Sequence, residues 1–222
     1  MGPIRLLIFD LDGTLIDSLP DLTDATNLVR QSRGLPQLAI DDVRKLVGQG
    51  ARSLVERALP GATAGEVEEG LGIFLEYSLA HIADKTRVYP GVPETLQEIE
   101  GVGIPMCVLS NKNVDLCREV LVRLGLGENF TGVFGADSFP FKKPSPQPVL
   151  ALLEKFGVSA GECVMVGDSI NDVAAGCGAG VLTVGCSYGY GEISELVDAD
   201  YRVADFPSLL ELPILAKKSS KQ

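Results

Sequence analysis

One stretch constrains the fold more than any other: Ile4-Arg5-Leu6-Leu7-Ile8-Phe9-Asp10-Leu11-Asp12-Gly13-Thr14-Leu15-Ile16-Asp17-Ser18. The apolar run up to Phe9 does not alternate with polar residues, so as a strand it is buried on both faces. Strands of that kind belong to parallel sheets covered by helices. The run ends in two carboxylates one residue apart, followed by Gly13 and Thr14. In open α/β sheets, ligands bind at the carboxyl ends of the strands. Residues two apart on a strand point the same way, so Asp10 and Asp12 start on one side. Like charges that close repel unless a cation lies between them. A hard divalent cation that takes oxygen ligands, Mg²⁺ foremost, answers that requirement. The plainer alternative is a strand end that caps the next helix with Asx chemistry.

The rest of the chain falls into two patterns. From residue 18 to 86 the periodicity is helical throughout. Leu22, Ala25, Leu28 and Val29 recur at helical spacing, Leu35-Pro36 breaks the run, and Asp41-Asp42 starts a second helix carrying Val43, Leu46 and Val47. Gly48-Gln49-Gly50 interrupts it, and 51–59 and 66–83 read as further helices, with no strand in this region. From Pro90 onward strands and helices alternate. Strands are expected at 104–109, 132–136, 163–166, 181–184 and 201–203. Helices are expected at 92–100, 114–124, 146–156 and 171–179. Alternation of this kind predicts βαβ units, a mainly parallel sheet and a doubly wound α/β core. The domain division expected is a core of residues 1–17 and 87–222 with an all-helical insert at 18–86, hinged near Asp17 and Thr86–Tyr89. The polar tail Lys217–Gln222 is expected to fray.

Composition excludes several classes. The 222 residues are 45% hydrophobic and 22% charged, an ordinary globular balance. A net charge of −11 and a pI of about 4.6 argue against nucleic acid and against anionic membrane surfaces as partners. No stretch approaches a membrane span. The chain enters its first strand at once, leaving no room for a signal peptide, and Met1-Gly2-Pro3 does not suit myristoylation. The expected location is the cytoplasm, as a monomer or homodimer. Cys107, Cys117, Cys163, Cys177 and Cys186 show no CxxC spacing and are expected as reduced, buried thiols. His81, the one histidine, falls in a helix far from any of them in sequence, as a surface or partly buried residue.

Three more segments at strand ends are polar: Ser110-Asn111-Lys112, Lys142-Lys143-Pro144-Ser145-Pro146, and Gly167-Asp168-Ser169-Ile170-Asn171-Asp172. On a parallel sheet they share one edge with Asp10 and Asp12. Four carboxylates, a hydroxyl, an amide and a lysine suit a phosphoryl group held against Mg²⁺, since phosphoryl transfer is mostly positioning and charge neutralisation. The four motifs in order, Asp10-x-Asp12-Gly13-Thr14, Ser110-Asn111, Lys143-Pro144 and Gly167-Asp168-x-x-Asn171-Asp172, resemble those of the haloacid dehalogenase-like hydrolases. The match spans nearly the whole chain, including the helical insert where that superfamily carries its C1-type cap. Val47–Leu59 and Tyr89-Pro90-Gly91-Val92 resemble the phosphoglycolate phosphatases most closely.

The resemblance implies roles residue by residue. Asp10 is the nucleophile that forms an aspartyl-phosphate, and Asp12 the acid and then base. Mg²⁺ is held by Asp10, the Asp12 backbone carbonyl and Asp168. Ser110 and the Asn111 backbone bind the phosphoryl, Lys143 neutralises it, and Asp172 orients Lys143 or a metal-bound water. Gly13 and Thr14 are expected beside the substrate. In the cap, Gln49 and Gly50 precede a helix whose N-terminus suits an anion, though a plain turn reads equally well. Arg52 either reaches a substrate carboxylate or is solvated. The implied activity is hydrolysis of a small phosphomonoester, 2-phosphoglycolate first. The alternatives are a phosphosugar mutase or phosphatase, a pyrophosphatase, a phosphonate hydrolase using Lys45, and a binding protein with a dead site.

Overall fold

The computed structural model describes residues 3–215; the tail 217–222 and the Met1-Gly2 pair lie outside the described residues. In chain order the elements are β1 (Leu6–Phe9), β2 (Ile16–Asp17), α1 (Leu19–Ser32), α2 (Ile40–Arg44), α3 (Ala51–Ala58) and α4 (Ala64–Ala80). Then come β3 (Arg87–Val88), α5 (Val92–Gly101), β4 (Met106–Leu109), α6 (Val114–Arg123), β5 (Gly132–Phe134) and α7 (Gln147–Phe156). The last are β6 (Cys163–Gly167), α8 (Ile170–Ala179), β7 (Leu182–Cys186) and β8 (Tyr201–Val203).

Six strands form one parallel sheet in the order β5-β4-β1-β6-β7-β8. The order reverses at β1, so β1 is central and its carboxyl end is the switch point where a crevice opens. Leu6, Leu7, Ile8 and Phe9 are fully buried, as the unbroken apolar run requires. Leu7 and Phe9 pack on one face with Leu96, Val120 and Phe206. Leu6 and Ile8 pack on the other with Val149, Leu152 and Met165.

The helical insert has its own core of Leu22, Ala25, Val29, Leu54, Val55, Leu59, Val67 and Phe74. Leu28, expected on this face, is exposed; six residues beyond Leu22 it has rotated off the stripe that Leu22, Ala25 and Val29 share. Buried Arg30 ties the insert together by donating to the carbonyls of Pro36 and Ala58. Thr63 and Glu66 form a reciprocal cap that starts α4. Both connections to the sheet domain run side by side as the antiparallel pair β2–β3, two residues each and too short for periodicity to reveal. Asp21 fastens this junction by accepting from the Lys85 and Thr86 backbone N–H groups and the Thr86 hydroxyl. Four of the five cysteines are buried, but Cys177 is exposed, on the outer side of α8.

Candidate active site

The carboxyl ends of β1, β4 and β6 and the loop before α7 converge where the sheet reverses. Lys143 is at their centre. Its side chain is 1% exposed, and its ammonium lies 2.9 Å from Asp10 Oδ1 and 2.6 Å from Asp172 Oδ1. Burial works against the charge, but Asp10 and Asp172 together outweigh it and hold Lys143 above its ordinary value. Asp172 starts α8 and also accepts from the Ser169 backbone N–H and hydroxyl. It therefore caps a helix and anchors Lys143 with the same carboxylate.

Asp168, at the end of β6, is held from three sides. Thr14 Oγ1 donates to its Oδ1 at 3.0 Å, and the Tyr190 and Gly191 N–H groups donate to its Oδ2. Thr14 is fully buried. Its hydroxyl is used on Asp168, so Thr14 acts here by fixing that carboxylate. Gly13 adopts φ of +89°, and a Cβ there would fall 2.3 Å from Asp168 Oδ2. Only glycine combines that backbone with that approach.

Asp10, Asp168 and Asp172 offer oxygens within 4.8 Å of one another. Asp10 Oδ1 is buried, and despite the nearby ammonium it accepts no well-aligned hydrogen bond. Burial, then Asp172 and Asp10, push the Asp168 carboxyl up to about 8. Burial and Asp172 push Asp10 up to about 6, against the pull of Lys143. Carboxylates gathered in a dry site without matching positive charge repel one another. A hard divalent cation relieves that repulsion and takes oxygen donors, so these residues fit Mg²⁺. The Asp12 side chain is outside this group. Its Oδ1 accepts from Ser18 Oγ at 2.5 Å, and Lys112 Nζ lies 3.0 and 3.1 Å from its two oxygens.

Ser110 and Asn111 are buried at the end of β4. Ser110 lines the crevice with Asp10 and Asp12. Asn111 Nδ2 donates to the carbonyls of Lys143 and Gly48. The second of these bonds crosses to the insert, where Asn171 Nδ2 also reaches the Gly48 carbonyl and Lys142 Nζ reaches that of Gln49. The Gly48-Gln49-Gly50 loop is thus latched over the strand ends by donors from two core loops and the first turn of α8. Its carbonyls face those donors. Arg52, one turn further on, is not brought to the site. It forms a two-pronged pair with Glu68 of α4, and its side chain is 52% exposed. Of the two readings open for Arg52, a substrate carboxylate or solvation, the exposed pair with Glu68 agrees with the second, and Arg52 lines neither cavity at the strand ends. Lys45 pairs with Asp42 at the rim.

Two cavities meet at Asp10, Asp12, Val47 and Gly48. One, of about 520 Å³, opens between the insert and the Asp168–Glu195 region and is lined by charged groups such as Arg44, Arg57 and Glu192. The other, of about 60 Å³, is walled mainly by Leu22, Leu54, Phe74 and Leu116. Two site residues escape a reading by motif. Lys112 is the third residue of Ser110-Asn111-Lys112, but nothing in the sequence says its side chain folds back onto Asp12. Tyr190 lies between two glycines, and that spacing is the available signal: a Cβ at Gly189 would fall 2.3 Å from that of Asp168. Tyr190 OH accepts from the Ser18 and Leu19 N–H groups and donates to Asp17 Oδ1. One tyrosine thus joins the Asp168 loop to the junction of insert and core.

Residues 4–180 match the family model for haloacid dehalogenase-like hydrolases. The chain is 39% identical over 214 residues to a phosphoglycolate phosphatase of Chromobacterium violaceum, covering 94% of this chain and 96% of that one. It is also 39% identical to the phosphoglycolate phosphatase of Neisseria meningitidis, over 89% and 86% of the two chains. A crystal structure described as a predicted phosphoglycolate phosphatase from Haemophilus somnus superposes with a TM-score of 0.90 at 33% identity, covering 95% and 98% of the chains. Among the described residues, no helix is long and apolar enough to cross a membrane.

Proposed function

Because the chain belongs to the haloacid dehalogenase-like hydrolases, we propose that it hydrolyses a small phosphomonoester, 2-phosphoglycolate, to glycolate and phosphate with Mg²⁺ bound. The observation that carries the reading is the fully buried Lys143 held between Asp10 and Asp172, with Asp168 beside them at the strand ends. The phosphoglycolate phosphatases similar over most of this chain support the substrate.

In this reading Asp10 attacks phosphorus and carries the phosphoryl group, splitting one displacement into two easier ones. Lys143, a point charge, neutralises nucleophile and phosphoryl oxygens together. Asp172 keeps Lys143 aimed. Ser110 donates to a phosphoryl oxygen, with the Asn111 N–H beside it. Asp12 turns from Ser18 and Lys112 to give the leaving oxygen a proton, then takes one from the attacking water. Asp10, Asp168 and Asp172, with the Asp12 backbone carbonyl, would hold Mg²⁺, which supplies charge neutralisation at the transferring oxygens. Gln49 and Gly50 face the substrate from the cap. The division into core (1–17 and 87–222) and cap (18–86) belongs to this reading, with the latched loop closing the site against water. The enzyme is read as cytoplasmic, a monomer or homodimer, acting on a small phosphorylated metabolite.

The wide, charged cavity favours a phosphorylated sugar as the second reading. The test is kcat/KM with Mg²⁺ over 2-phosphoglycolate, glucose 1-phosphate and pyrophosphate. 2-Phosphoglycolate is expected to lead, and a flat profile overturns the choice of substrate. Asp10→Asn is expected to abolish turnover of every ester; full activity in that variant overturns the mechanism.

A further inference from the structure

We propose that Lys112 and Ser78 form the seat for the carboxylate of the substrate, inside the small chamber beneath the helical insert. The proposal rests on the phosphoglycolate reading and names the groups that would enforce it.

The chamber has room for roughly four to six water-sized atoms, the size of a carboxymethyl group. Leu22, Leu54 and Phe74 of the insert and Leu116 of the core give it apolar walls, and Asp10, Asp12 and Ser110 form its floor. Among the described residues lining it, Lys112 is the one cation. Its side chain is about nine-tenths buried, and its ammonium rests on both oxygens of Asp12. Ser78, on α4, contributes a buried hydroxyl with no hydrogen-bond partner. Buried polar atoms are nearly always paired, so an unpaired one asks for a ligand group. Ser78 and Lys112 line this chamber together, and they also share the small cavity on its far side, beside Ser18 and Asp21.

Substrate geometry fits this pair. In a carboxymethyl phosphate the carboxylate is bonded to the carbon that carries the ester oxygen. Asp12 serves that oxygen, so a cation already touching Asp12 is within reach of the carboxylate. Binding then exchanges one carboxylate for another at Lys112 and leaves the Asp12 side chain free to turn to the ester oxygen. The walls add selection against other esters, because a polyol held against Leu22, Leu54 and Phe74 loses its hydrogen bonds to water without replacement.

The experiment compares kcat/KM for 2-phosphoglycolate and for propyl phosphate, which lacks the carboxylate, in the parent, Lys112→Met, Lys112→Arg and Ser78→Ala. The ratio of the two values is the readout, and melting curves confirm folding. The parent is expected to prefer phosphoglycolate by at least about 100-fold, as sites built around a substrate's polar group do. Lys112→Met is expected to collapse that ratio to within about tenfold of unity, Lys112→Arg to retain most of it, and Ser78→Ala to lower it about three- to tenfold. If both esters slow together in Lys112→Met and the ratio survives, Lys112 serves Asp12 alone and the proposal fails. If Lys112→Met does not fold, an unchanged ratio in Ser78→Ala overturns it. A parent with no preference overturns the phosphoglycolate reading, and this seat with it; a preferring parent with an unchanged variant ratio overturns the seat alone.

Discussion

Replacing Lys143 by methionine tests the electrostatic account of the site. The two side chains are similar in length and volume, so packing changes little and charge changes by one. At the lysine–carboxylate distances of 2.9 and 2.6 Å, an effective dielectric of about 20 gives roughly 6 kcal/mol of gross attraction to each carboxylate. Desolvation of the ammonium offsets much of this. Breaking a buried pair by removing one partner costs about 3–5 kcal/mol. For a chain of this size that lowers Tm by about 6–20 °C. The loss must depend on pH. In the metal-free folded protein Asp168 and Asp10 are pushed up to about 8 and about 6. The folded state therefore binds more protons than the unfolded one, and stability falls as pH rises from about 4 through those values. Removing the Lys143 ammonium raises Asp10 further, so the variant falls more steeply. The measurement is thermal unfolding by circular dichroism of parent and variant, in chelator, at pH 5 and pH 8. The Tm gap at pH 8 is expected to be at least twice that at pH 5. An equal gap at the two pH values, or a variant within about 2 °C of the parent at pH 8, would refute the reasoning.

Three other outcomes follow from the same geometry. Mg²⁺ is expected to raise Tm more at pH 8 than at pH 5.5, because it replaces the proton that Asp168 otherwise holds; scans with Mg²⁺ or chelator check this, and a larger rise at low pH contradicts it. Gly13→Ala is expected to weaken Mg²⁺ affinity about 10- to 100-fold, measured calorimetrically, because the new methyl displaces an Asp168 oxygen 2.3 Å away. Tyr190→Phe leaves the Ser18 and Leu19 N–H groups without their acceptor, so a loss of about 1–3 kcal/mol is expected in denaturant unfolding.

The elements legible in the sequence were those whose signal is local. The buried strand at Leu6–Phe9, the alternation after Pro90 and the polar strand ends all follow from hydrophobic pattern and from the geometry of parallel sheets. Asp10 and Asp168 meet because their strands end on one edge, the edge that the topology implies, and the loop before α7 and the first turn of α8 bring Lys143 and Asp172 to the same edge. The paired strands Ile16–Asp17 and Arg87–Val88 stayed hidden because two residues carry no period. The partner of Arg52 stayed hidden for another reason: choosing between Glu68 and the crevice requires the rotation of α3 against α4, which tertiary packing sets. Lys112 and Tyr190 act through side chains that reach back across loops, and no spacing rule encodes that reach. The bond from Thr14 to Asp168 spans 154 residues of chain, and a motif that places Thr14 near the strand end does not specify it.

The central position of β1 bears on how the chain is made. Its neighbours in the sheet are β4, about 100 residues later, and β6, about 160 residues later. At a synthesis rate of about 5–20 residues per second, β1 waits roughly 10–30 s for its second neighbour. For roughly the first 5–20 s, until β4 is made, this fully apolar strand has both hydrogen-bonding edges unpaired, and one edge stays unpaired until β6 follows. The helical insert follows directly behind it, makes its main contacts among its own four helices, and can collapse on the ribosome within the same interval. A nascent chain stalled between α4 and β4 should therefore hold a folded helical unit beside an unpaired sticky strand, a natural target for a chaperone that captures extended apolar segments.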